Sequence, residues 1–229
     1  MVINCPTFHI LTVSNYYMKS LKYILIFLVP IFIGCQTESS NYKVLSKSKT
    51  VTKDDCKVSI TYPQIQGDIH TVSLNRINEI LEKLPEHEFY AHNCDSENPQ
   101  LVSGKFEVLL KKDSVLCIEY RTDIEYKNEH RTIFHSLVLN PNGDASMDFG
   151  SIGIEPIDLI PNFDRGKLLP YIKKYNSDKK DNVNLLAYEK GSNYVITWGI
   201  TEKDFIIYPG GEGEWFGYDK IEIPLNELK

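Results

Sequence analysis

Apolar and polar residues alternate through "DDCKVSITYP", residues 54–63, where Cys56, Val58, Ile60 and Tyr62 share one side. A period of two over that length predicts a half-buried strand, closed by Pro63 and Gly67. The period then changes. In "SLNRINEILEKLP" the residues Leu74, Ile77, Ile80, Leu81 and Leu84 recur at helical spacing, with Ser73 as the N-cap and Pro85 as the stop. The stretch 86–103 has little pattern and reads as loop. Period two returns at Phe106, Val108 and Leu110, and a turn at "KKDS" leads into a strand over 115–126. A further strand over 132–139 ends at "NPNGD", a strong turn signal because Asn-Gly accommodates positive φ. "IEPIDLIP" reads as extended. "FDRGKLLPYIKKYN" reads as a helix capped by Asp164, despite Gly166 and Pro170. Strands over 194–199, 205–208 and 220–225 complete the chain. Hairpin-linked strands with two helical segments predict a single α+β domain, an antiparallel sheet with about two helices packed on it.

The start of the chain follows other rules. Met18, Lys19 and Lys22 form a short basic segment, followed by an uncharged apolar run, Tyr23 to Ile33. That run is well short of the roughly 20 residues that span a bilayer, and it matches a secretory leader. It ends in "IFIGC", which resembles the lipobox of bacterial lipoproteins, with cleavage after Gly34 and diacylation of the Cys35 thiol. Phe32 and Ile33 depart from the leucine and small residue usual at those places. Two acyl chains give a stable anchor where one is marginal. Residues 1–17 lack charge and precede the better start at Met18; they read as a start-site extension, so Cys5 and His9 receive no role. Residues 35–50 read as the acylated cysteine and a polar tether, reaching about 50 Å at most. The domain is expected over 51–229.

Charge narrows the partners. The formal net charge is −6, and Lys19 and Lys22 are the only charges before residue 36, so the remainder carries −8. Phosphate binding needs clustered Lys and Arg, which argues against nucleic acid. An acidic, tyrosine-rich domain is instead compatible with a cationic protein, which opposite charge would steer into encounter.

Three stretches carry a family resemblance over nearly all of 51–229. They are "VSITYPQIQG" followed by "INEIL", then "YKNEHRTIFHSLVLNPNGDASMDF", and finally "DFIIYPGGEGEWFGYDKIEIPLNEL". Together they resemble the bacterial domain of unknown function in the extracellular part of lysozyme-sensing anti-sigma factors. That domain also precedes the catalytic domain of certain peptidoglycan deacetylases and occurs alone in envelope lipoproteins. The family's Gly-Ala before its histidine is replaced here by Asn128-Glu129, so His130 is a weak site candidate. The resemblance implies a non-enzymatic envelope domain, with lysozyme binding in one branch.

The chemistry-bearing residues fall into a few groups. "YPGGEGEWFGYDK" has neither the G-x-x-x-x-G-K-[ST] of a phosphate loop nor a helix after its glycines, and its glutamates would repel phosphate. It reads as a wide hairpin turn whose Trp215, Phe216 and Tyr218 fold back on the sheet. The competing reading makes it a binding loop, with Trp215 as anchor and Glu212 and Glu214 facing a basic partner. His87, His92 and Cys94 fall short of a zinc ligand set, so no metal or other cofactor is expected. Of the cysteines after Cys35, Cys56 and Cys94 are the disulfide candidates and Cys117 reads as a buried thiol. His130 and His135 are expected on opposite faces of a strand. Glu119, Asp123 and Glu125 lie on a neighbouring one; paired carboxylates can cleave glycosides, but solvated sheet carboxylates are commoner. No catalytic residue is assigned. The resulting expectation is a lipid-anchored, non-catalytic envelope binding module, for a lysozyme-like protein or peptidoglycan fragments. It would sit in the outer membrane or at the cell surface, or face the periplasm. Its rivals are a small hydrolase of envelope glycans and a purely structural lipoprotein.

Overall fold

The computed structural model describes residues 41–53, 56–90, 100–112, 114–126, 129–143, 152–179, 183–190, 196–210 and 217–228. Strand β1, Tyr42–Lys53, opens the fold and pairs antiparallel with β2, Cys56–Gly67. Helix α1, Thr71–Tyr90, then carries the chain back so that β3, Gln100–Lys112, joins β2 in parallel over Lys57–Ile60. Strands β4, Val115–Tyr126, and β5, Glu129–Leu139, follow as antiparallel neighbours, giving the order β1-β2-β3-β4-β5. A second, three-stranded antiparallel sheet is built from β6, Trp198–Ile200, β7, Asp204–Ile207, and β8, Ile221–Pro224. Between the sheets in sequence lie the short helix α2, Pro156–Leu159, a 3₁₀ turn at Arg165–Leu168 and helix α3, Leu169–Lys179. The short helix α4, Leu225–Leu228, follows β8. All of these belong to one compact unit, Thr37–Lys229. The α+β class predicted from the sequence is the one found.

Strand β4 is the centre of the molecule because both of its faces are covered. Leu116, Ile118 and Tyr120 point to one side, where they meet Leu137 and Leu139 of β5 and Ile77 and Leu81 of α1. Val115 and Cys117 point to the other, against Trp198, Phe205, Ile207 and Ile223 of the second sheet and Ile172 of α3. A strand covered on both sides reads as a continuous apolar run, which is what "VLCI" shows. An irregularity in the β3–β4 register between Val108 and Leu110 changes which side chains face the second sheet. Before it, Phe106 and Val108 pack toward α1; after it, Leu109 and Leu110 both pack toward the second sheet.

Several expectations are corrected. The tether read over 35–50 ends sooner, since Tyr42 already lies in β1 and is 2% exposed. Helix α1 starts before Ser73, with Leu74 N–H bonded to the His70 carbonyl, so Ser73 lies buried within its first turn rather than at the N-cap position. Pro85 does not stop α1. The loop read over 86–103 is helix at its start and strand from Gln100. The sheet is mixed, because the α1 crossover returns β3 parallel to β2. "IEPIDLIP" holds helix α2, with Pro156 at its first turn and the Asp158 carboxylate accepting from Glu155 N–H at 2.9 Å. Asp164 does cap its turn, accepting from Gly166 N–H at 2.8 Å.

Candidate functional site

One charged side chain lies deep between the two sheets. Along the β4 face that holds Val115 and Cys117, the next residue is Glu119, 4% exposed. A buried carboxylate costs several kcal/mol unless it is paired and hydrogen-bonded. Glu119 is both. The Tyr208 hydroxyl donates to Oε2 at 2.7 Å, and Lys220 Nζ donates to Oε1 at 2.5 Å. Burial and the adjacent carboxylate hold the Tyr208 phenol far above its ordinary pKa, so it remains a donor. The Lys220 ammonium also lies 4.7 Å from the Phe134 ring centroid, and Phe134 stacks on Tyr208 with centroids 6.3 Å apart. Gly199 lets the second sheet come this close, since a Cβ there would meet Tyr208 Oη at 2.9 Å and Ser136 Oγ at 3.0 Å.

Tyr208 and Lys220 stand on either side of the glycine-rich loop. Its two ends are tied further. Gly217 and Phe134 exchange two backbone hydrogen bonds of 2.7 and 2.8 Å, and Tyr218 N–H donates to the Pro209 carbonyl at 2.9 Å. Position 217 requires glycine, because a Cβ would fall 2.5 Å from the Tyr208 carbonyl carbon. The loop is therefore closed at its base and fastened to both β4 and β5.

The same face continues outward as a polar stripe. Asp123 accepts from Thr132 Oγ1 at 2.7 Å and from Arg121 at 3.1 Å, with His130 Nε2 at 3.7 Å. Partial burial raises the Asp123 pKa, but the hydrogen bonds from Thr132 and Arg121 outweigh it, and the carboxylate is held below its ordinary range. From the other face of β5, Arg131 lies 5.8 Å from the ring centroid of Tyr218, a residue 41% exposed. Glu125 pairs across the ladder with His130. Behind Glu119, Cys117 Sγ accepts from Ile200 N–H at 3.3 Å, and burial pushes its thiol up to about 11. A thiol held protonated in this way is a poor nucleophile.

Of the residues singled out in the sequence, Tyr218 stands at the loop's foot and His130 on the exposed stripe. His135 is on the opposite face of β5, buried against Tyr120. Glu212, Glu214, Trp215 and Phe216 lie outside the described residues, as do Cys35 and Cys94. Cys56 is fully buried and disulfide-bonded, while Cys117 is free. Among the described residues no three His, Cys, Asp or Glu side chains are grouped to hold a metal ion, and no helix is long and apolar enough to cross a membrane. The Glu119–Lys220–Tyr208 lock was not foreseen. A glutamate inside "VLCIEY" signals a buried acid that needs a cation, but nothing local identifies which one.

No family model matches the chain, and no curated protein matches it. Its structural neighbours are bacterial proteins of the DUF3298 family. One, from Bacteroides fragilis, is 12% identical, with a TM-score of 0.42 over 83% of this chain and 92% of that one. Another, from Pseudomonas aeruginosa, is 10% identical, with a TM-score of 0.45 over 84% of this chain and 94% of that one. Likeness at this level transfers no residue roles.

Proposed function

We propose that this protein is a non-catalytic, lipid-anchored module of the cell envelope, and that it binds its partner through the 209–217 loop and the stripe beside it. The observation that carries the reading is the double fastening of the loop's feet to Glu119. Binding residues commonly sit on loops held by a rigid scaffold, and this base confines where a ligand-contacting tip can go. Three of the described groups on this face that could otherwise do chemistry are engaged. Both oxygens of Glu119 are taken, Asp123 is held ionised, and the Cys117 thiol is held protonated.

The partner class follows from charge and the sequence resemblance. Glu212 and Glu214 precede Trp215 in a chain of net charge −6, which favours a cationic protein such as a lysozyme. Peptidoglycan fragments are the other ligand suggested by the resemblance. The test is calorimetric titration of residues 36–229 with a C-type lysozyme at low and physiological salt. Saturable binding that weakens with salt is expected, with Trp215→Ala reducing affinity about 30-fold as for a central aromatic anchor. Absence of heat at both salts would remove lysozyme as the partner.

A further inference from the structure

The fold begins very close to the acylation site. Tyr42, the first residue of β1, is buried and donates its hydroxyl to the Lys112 carbonyl at 3.0 Å, with Lys111 Nζ 5.1 Å from its ring centroid. The Asn41 carbonyl accepts from Asp68 N–H at 3.1 Å. Seven steps of chain separate Cys35 from Tyr42, a reach of about 25 Å at most. Strand β1 alone has 12 residues and so is about 40 Å long. The leash is shorter than the strand it leads into, so the domain cannot turn end over end on it.

Strand polarity says what lies at the leashed end. Tyr42 pairs with Gly67, and β2 and β3 run parallel, so Lys111, Lys112, Val115 and Leu139 share that end. Among the described residues Lys43, Lys111 and Lys112 are exposed there, as are the apolar side chain of Val72 and the acid Asp68, and the sequence adds a second acid, Asp113, directly after Lys112. The chain is acidic overall, so an anionic leaflet would repel most of its surface.

The geometry points to a membrane-facing surface formed by Lys43, Lys111 and Lys112, which rests on anionic phospholipid headgroups when Cys35 is acylated. This rests on the lipid-anchor reading above. Each lysine within a Debye length of such a surface favours the docked arrangement about fivefold. Docking sets the orientation of the binding site as well. From Leu139 back to His130 is nine steps of β5, about 30 Å, so the stripe end that holds His130 and Asp123 lies away from the bilayer.

The test uses the full chain, lipidated by its expression host and reconstituted into vesicles. One set is phosphatidylcholine alone, and the other is an equimolar mixture of phosphatidylcholine and phosphatidylglycerol. Lysine acetylation is followed peptide by peptide, and the mass of the Cys35 peptide reports acylation in the same sample. Expected is a several-fold slowing at Lys43, Lys111 and Lys112 in the anionic vesicles alone, with Lys57 and Lys83 unchanged. The triple variant Lys43→Gln/Lys111→Gln/Lys112→Gln should lose vesicle-dependent protection elsewhere on that end, read by hydrogen exchange at Val72. An acylated Cys35 with equal acetylation in both vesicles would overturn the docking surface and leave the anchor standing. An unacylated Cys35 would overturn both.

Discussion

Asn78 ties α1 to the sheet through the backbone of a single residue, and replacing it should be costly. In an antiparallel pair every second residue directs its N–H and C=O away from its partner. Ile65 of β2 is such a residue opposite β1, and β3 accompanies β2 only as far as Ile60. The Asn78 amide takes the place of the missing strand, accepting from Ile65 N–H at 2.7 Å and donating to the Ile65 carbonyl at 2.9 Å. Each partly buried backbone group left unpaired costs roughly 1–3 kcal/mol, and the better helix propensity of alanine returns about 0.5 kcal/mol. With two such groups at stake, Asn78→Ala should therefore destabilise the fold by about 2–5 kcal/mol. Asn78→Asp keeps the acceptor but sets a second oxygen against the Ile65 carbonyl, and should be no better. The assay is urea unfolding of residues 36–229 followed by tryptophan fluorescence, with native-state hydrogen exchange at Ile65. Arg76→Ala, on the exposed side of the same helix, serves as the control. If Asn78→Ala lies within about 0.5 kcal/mol of the parent and Ile65 remains protected, the strand-mimic argument is wrong.

Three further outcomes follow from the Glu119–Lys220–Tyr208 lock and the cysteines. Glu119→Gln should cost roughly 3 kcal/mol by leaving Lys220 without its carboxylate, whereas Glu119→Gln/Lys220→Met should cost clearly less than the two single changes summed; additive losses in urea melts would deny the lock. Because the Cys117 pKa is raised on folding, its stabilising contribution is full below the unfolded thiol's range near 8.5. It is lost as pH rises from there toward about 11, and a Cys117→Ala variant should show a flatter alkaline limb in thermal melts. Non-reducing peptide mapping should recover Cys56 joined to Cys94, with Cys117 alkylated only after unfolding; a Cys117 disulfide would contradict this.

What the sequence disclosed depended on whether the physics was local. Helix α1 was readable because Ile77 and Leu81 sit one turn apart and need only a shared partner. Strand β2 was readable because Val58, Ile60 and Tyr62 alternate with polar residues. The first nine residues of strand β1 read as tether because "YKVLSKSKT" is largely polar and Lys-rich, the composition that protects an edge strand from pairing with strangers. Pro85 misled because a proline signals only a local preference, which the remainder of α1 overrides. The lock could not be assembled from sequence. Glu119 lies 89 residues from Tyr208 and 101 from Lys220, and no local pattern links the three.

The closed base of the 209–217 segment separates two kinds of information. Folding depends on its ends: Tyr208, Gly217 and Lys220 against Glu119 and Phe134. Those contacts are made by the described ends themselves, together with the Pro209 carbonyl that accepts from Tyr218 N–H. Once the ends are held, even doubling the enclosed length adds only about 0.6 kcal/mol of closure entropy. The stem is thus a socket whose closure depends little on the length it encloses. A segment of another length could be joined to the same stem at a small cost in closure, so the stem tolerates insertion.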